Sequence, residues 1–168
     1  MLKTLISAQD LYNLLQSGNA VTATGKPIMV FDCTFDLAKP DSGQQQFDES
    51  HLPNAIYVNL DSDLSSKNDL AAASGGRHPL PSRETFANWL SNQGFTNAHQ
   101  AIVYDRNASM YCGRLWWMLK WVGHEAVAVL DGGLQAWQAV GGAVQSSNKS
   151  TKHKKTTVTE TPFAIAAT

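Results

Sequence analysis

Apolar residues in this chain fall into two recurring patterns, short unbroken runs and longer stretches at helical spacing. The unbroken runs are PIMVFD (27–32), AIYVNL (55–60), AIVYD (101–105) and AVAVLDGG (126–133). A strand with no polar face is covered on both sides, so these runs predict strands of a parallel sheet. The helical stretches lie between them. Ser7 and Asp10 open one that carries Ala8, Leu11, Tyr12, Leu14 and Leu15, with Gly18 as its stop. Pro81-Ser82 opens a second, with Phe86, Trp89 and Leu90 on one face and Gly94 at its end. A third covers 111–122 (YCGRLWWMLKWV) before Gly123, and a fourth covers 134–140 (LQAWQAV) before Gly141-Gly142. Residues 36–50 and 61–81 read as polar excursions, the first with at most one short helical turn. Alternation of strand and helix predicts the α/β class, with a central, mainly parallel sheet and helices on both faces.

The pattern stops near residue 145. Residues 146–168 hold Lys149, Lys152, Lys154 and Lys155 among many Ser and Thr, with little apolar periodicity. This predicts a domain over 1–145 followed by a flexible tail or linker. The lysines have no interleaved aromatics or arginines, so a nucleic-acid arm is the weaker reading.

Composition narrows the function classes. The chain has 168 residues, 43% of them apolar, enough for one domain with a real core. A net charge of −1 and the absence of a basic stripe argue against a nucleic-acid partner. No run of 18 apolar residues predicts a membrane partner, and the opening turns polar at Gln9 and Asp10, too early for a signal peptide. Two cysteines make no disulfide framework, and the five histidines lack metal spacing. A cytoplasmic protein without metal or cofactor is expected.

In an open parallel sheet, ligands bind beyond the carboxyl ends of the strands. That points to Asp105-Arg106-Asn107-Ala108-Ser109-Met110, where backbone N–H groups at a helix start favour an anion. Asp32-Cys33-Thr34-Phe35 and Asp131-Gly132-Gly133 end neighbouring strands. An aspartyl-phosphate role for Asp105 lacks its second acid, since position 107 is Asn107. Cys112 sits in a first helical turn, where a thiol pKa falls. It also projects beside Leu115, Leu119 and Val122, and packing is the stronger reading for it. Cys33 is further still from a chemical role.

Five segments then combine in order: FDCTFD, FDESHLPNAIYVNLD, SGGRHPLPS, AIVYD and RLWWMLKWVGHEAVAVLDGGLQAW. Together they resemble the rhodanese-type sulfurtransferases, in particular the amino-terminal domain of the tandem thiosulfate and 3-mercaptopyruvate enzymes, over residues 5–145. The resemblance implies a rhodanese-like fold in which a cysteine after the central strand carries a persulfide inside a ring of backbone N–H groups. Asp105 stands at that position here, which implies a non-catalytic domain with no catalytic residue of its own. The partner implied is a second rhodanese domain bearing the catalytic cysteine, with a small sulfur-donor anion in the shared cleft. Asp105, Arg106, Asn107, Ala108, Ser109, Met110, Tyr111 and Arg114 would form the loop side of that cleft, and Phe35 would line it. Ser50 and Asn54 depart from the family's GHxPGA stretch, where glycines are usual. Two alternatives stay open: a non-catalytic binding or regulatory module, and a single-domain enzyme using Cys112. Trp116, Trp117 and Trp121 fall on the side or back of their helix, where loops 36–50 and 61–81 or a second domain would cover them.

Overall fold

The computed structural model describes residues 1–16, 21–67, 70–147 and 161–166. Their elements run β1 (Leu5–Ile6), α1 (Ala8–Gln16), β2 (Ile28–Asp32), α2 (Ser42–Glu49), β3 (Ile56–Tyr57), α3 (Arg83–Asn92), β4 (Gln100–Tyr104), α4 (Cys112–Trp121), β5 (Val127–Leu130) and α5 (Gly133–Ala139). The strands form one five-stranded sheet in the order β1-β5-β4-β2-β3. Every pair is parallel.

Both faces of this sheet are covered, as the unbroken apolar runs require. Phe31, Ala101, Val103 and Val127 face one core, which α3 and α4 close with Phe86, Leu90, Leu115 and Met118. Val30, Ile102, Tyr104 and Ala128 face the other, closed by Leu11 of α1, Phe47 of α2 and Leu134 and Trp137 of α5. β4 lies in the middle, buried along its whole length. Ser82 caps α3, its hydroxyl accepting the Thr85 N–H at 3.0 Å.

The structure departs from the pattern in three places. β1 is a strand that its short sequence does not announce, and it exists because the edge of β5 offers it partners, Leu5 to Val129 and Ile6 to Leu130. The 55–60 run pairs only over Ile56–Tyr57. The excursion 36–50 contains the eight-residue α2 rather than a single turn. Its periodicity is faint because only Phe47 and Gly43 of α2 are buried, and a Cβ on Gly43 would lie 2.2 Å from the Thr34 carbonyl oxygen. The expected stop at Gly18 falls outside the described residues.

The expected tail needs amending at its far end. Lys149, Lys152, Lys154 and Lys155 lie outside the described residues, but residues 161–166 return to the body. Phe163 is buried in the α3–α4 core and Ile165 packs on it. One Phe and one Ile show no periodicity, so the sequence pattern gives no sign of this docking.

The tryptophans separate in the same way. Trp137 is 3% exposed, and its indole N–H donates to the Ala143 carbonyl at 2.8 Å. Trp89 is only half-buried, stacked on Phe86 at 5.9 Å, rather than sealed against the sheet. Trp137→Ala is expected to cost about 3–5 kcal/mol in urea melts. For Trp89→Ala about 1–2 kcal/mol is expected. Equal losses would contradict this assignment.

Candidate functional site

From β2 the chain crosses outward to β3, then returns to place β4 on the other side of β2. The carboxyl ends of β2 and β4 therefore flank the point where the strand order reverses, the usual position of a ligand crevice. Asp105 directly follows β4 and is 2% exposed. Its carboxylate is enclosed by the loop that follows it. Oδ1 accepts the N–H groups of Asn107 (2.8 Å) and Ser109 (2.9 Å). Oδ2 accepts those of Tyr111 (2.8 Å) and Cys112 (2.9 Å) at the start of α4.

The loop can close this tightly because Ala108 (φ 55°) and Ser109 (φ 64°) both adopt the left-handed region. Such a conformation costs roughly 1–3 kcal/mol per non-glycine residue. Charge-assisted bonds to a carboxylate are the strong kind and offset that cost. Gly133 (φ 56°) lets the β5–α5 turn approach from the side, since a Cβ there would lie 2.1 Å from the Asp105 carbonyl oxygen. The second glycine of LDGG is thus explained by close packing on the Asp105 backbone.

These bonds change the meaning of the loop. The anion cradle expected at this strand end is formed, and Asp105 itself is the anion in it. Nor do the loop's cations face outward. The Arg106 guanidinium donates to the carbonyl oxygens of Gln46 (2.7 Å) and Ser50 at the end of α2. Arg114 donates to the carbonyl oxygens of Leu64 (2.9 Å) and His78 (2.9 Å), fastening the 61–81 excursion to α4. Asn107 and Ser109 contribute their backbone to the ring, and Ala108 its conformation. Phe35 is 1% exposed and lies edge-on beneath Tyr111 at 5.6 Å, so it supports the surface without lining it. Of the expected residues, Met110 (69% exposed) reaches the surface most fully, with Tyr111 half-buried beside it.

Both thiols are buried. Burial, followed by the Asp105 carboxylate, pushes the Cys112 thiol far above its ordinary range. Burial does the same to Cys33. Burial also raises the Asp32 carboxyl, against hydrogen bonds from Thr34 and Tyr104 that favour its charge. Ser50 caps α2 in extended geometry, and Asn54 adopts φ 59°. Asn tolerates that region better than most residues, so the loop holds this course without a glycine.

Sequence reasoning missed one constellation. His78 Nδ1 lies 2.9 Å from Asp61 Oδ1, and Lys67 Nζ lies 2.7 Å from the same oxygen. The folding back of 61–81 brings these residues together, and no local spacing marks them.

Residues 7–140 match the model of the rhodanese-like domain family. The chain belongs to that family. A probable 3-mercaptopyruvate sulfurtransferase of Pseudomonas aeruginosa is 36% identical over 147 residues, which are 87% of this chain and 48% of that protein. Human 3-mercaptopyruvate sulfurtransferase is 33% identical over 140 residues, 80% of this chain and 43% of that protein. Among solved structures, the 3-mercaptopyruvate sulfurtransferase of Leishmania major superposes with a TM-score of 0.74 at 28% identity. The match covers 98% of this chain and 41% of that one. This rhodanese-like domain spans about half the length of the curated relatives it matches. Its five-stranded parallel sheet is the fold of the rhodanese-like domain family. Among the described residues no helix is long and apolar enough to cross a membrane. No described cluster of His, Cys, Asp or Glu is arranged for a metal ion.

Proposed function

We propose that this rhodanese-like domain is the amino-terminal, non-catalytic half of a two-domain cytoplasmic sulfurtransferase using thiosulfate or 3-mercaptopyruvate. The observation that carries the reading is the Asp105 carboxylate inside four backbone donors. A carboxylate cannot hold sulfane sulfur, and its charge repels an anionic donor. The persulfide cysteine then belongs to a second rhodanese domain, and this domain supplies one wall of the cleft.

The wall is the outer stripe of α4. Met110, Gly113, Trp117 and Trp121 succeed one another at helical spacing. Trp117 is 45% exposed and stacks on Trp121 at 5.6 Å, 15° from parallel. Gly113 has nothing within 4 Å of where a Cβ would sit, so a partner backbone could approach closely. Trp116 is excluded from the stripe, because its indole N–H donates to the Lys3 carbonyl and Lys120 lies over its ring at 5.1 Å. Exposed aromatic and methionine side chains beside one another suit a protein interface.

The test is addition of a separately made second rhodanese domain. Association that buries Trp117 and raises sulfur transfer above that domain alone is expected, with Trp117→Lys abolishing both. A folded mixture showing neither association nor a change in tryptophan fluorescence would overturn the reading. The regulatory-module alternative shares the filled cradle, and the intact gene product separates the two. A second domain with a cysteine after its central strand selects the enzyme half, and a product ending at Thr168 selects the module.

A further inference from the structure

Residues 161–166 cross the ends of α3 and α4 in an extended course held by both backbone and side chains. The Phe163 N–H donates to Ser91 Oγ (3.0 Å). The Asn97 amide pairs with Ala164 in both directions, at 2.9 and 2.8 Å. The Ala166 N–H donates to the Val122 carbonyl (3.1 Å), and Arg83 donates to the Ala166 carbonyl (3.3 Å). Gly123 (φ +88°) lies under Ala166 with no room for a Cβ. The Phe163 ring packs on Phe95 (5.9 Å) and His124 (5.8 Å).

His124 is the unusual member of this cluster. It is 4% exposed, its Nε2 lies 3.1 Å from the Ala126 carbonyl oxygen, and Phe95 meets it edge-on at 4.9 Å. Phe95 and Ala126 belong to the body of the fold, whereas Phe163 comes from a short extended segment laid over it. We propose that residues 161–166 form a latch that seals His124, and that protonation of His124 releases it.

The charges around the imidazole support an acid-sensitive seal. Burial is the main cause holding the His124 pKa down to about 4, and the electrostatic influence of Lys26 and His99 acts in the same sense. The backbone bonds to Ala126 and His99 act the other way. Glu125 is adjacent but is paired with Lys120 at 3.0 Å. Lifting Phe163 exposes the imidazole to water without breaking the sheet, and its pKa then returns toward the ordinary ~6.5. The closed latch requires neutral His124, so closure is complete above about pH 6.5 and weakens as pH falls toward 4. Between pH 7.5 and pH 5 these two values imply a loss of about 30-fold in the closing equilibrium.

The latch also fixes where the chain goes. Ser147 is bonded to the Asp48 carbonyl on the α2 side of the sheet, while Phe163 lies on the α3–α4 side. Ser147 and Phe163 therefore lie on opposite faces of the sheet. The last latch bond, at Val122, adjoins Trp121 of the α4 stripe. Release would free the chain beside that stripe, a consequence that rests on the proposed docking role; the latch itself does not.

Cleavage of the full-length chain within 148–160, by trypsin at Lys152–Lys155 or at an inserted site, leaves the latch as a peptide held without a covalent bond. Retention at pH 7.5 and about 30-fold weaker binding at pH 5 are expected. In His124→Gln the pH effect should shrink below about 3-fold, and in His99→Gln it should persist. A peptide lost at pH 7.5, or a pH effect that survives in His124→Gln, overturns the latch. If His124→Gln does not fold, NMR of the uncut chain decides. An imidazole that titrates at its ordinary value while the Phe163 and Ala164 amides stay protected from exchange overturns it equally.

Discussion

Incubated with thiosulfate and cyanide, this chain alone is expected to form thiocyanate no faster than buffer does. Sulfur transfer needs a thiolate that can reach the donor, and neither cysteine qualifies. Cys112 is 0% exposed and Cys33 2% exposed. Burial holds both thiols protonated at neutral pH. The loop offers a donor anion no free backbone N–H from Asn107, Ser109, Tyr111 or Cys112. Arg106 and Arg114 bond to carbonyl oxygens of the protein. The measurement is thiocyanate formation by the wild-type chain and by Cys33→Ser and Cys112→Ser. Turnover lost only in Cys112→Ser would establish the single-domain enzyme in place of the half-enzyme reading.

Replacing Asp105 should give the largest structural effect of any single change in the loop. Asp105→Ala leaves four N–H groups without their acceptor, one of them fully buried, while Ala108 and Ser109 keep their left-handed strain. Unmet buried donors cost about 1–3 kcal/mol each and do not add fully, so a loss of about 3–5 kcal/mol is expected. Asp105→Asn keeps the shape but turns one acceptor into a donor, and about 2–3 kcal/mol is expected. Denaturant melts of the three chains check this order, and a loss below about 1 kcal/mol for Asp105→Ala would show that the ring contributes little. Asp105→Cys probes the same cradle chemically. The donors are in place, but at 2% exposure the site admits little thiosulfate, so intact mass after brief incubation should show no stoichiometric gain of sulfur. A full gain of one sulfur atom would show that the loop opens readily. Cys112 lies against this carboxylate, so a Cys112→Ser background keeps disulfide formation from obscuring the result.

The sequence alone determined the fold class and the family. Unbroken apolar runs can be satisfied only by a sheet covered on both faces, and the runs over 27–32, 101–105 and 126–133 became β2, β4 and β5. The strand-end loop after Tyr104 followed from that, and so did the family, because ordered segments such as RLWWMLKWVGHEAVAVLDGGLQAW carry spacing as well as composition. What the loop does was decided in three dimensions. Asp105 reads in sequence as a charge that spoils an anion site, yet the backbone curls around it and makes it the ligand. That depends on φ at Ala108 and Ser109, residue types that do not announce a left-handed turn as glycine would. The Asp61–His78 pair, the two-residue β1 and the docking of Phe163 share one cause. Each needs a partner distant in the chain, and local periodicity reports only which residues seek burial, never which neighbour supplies it.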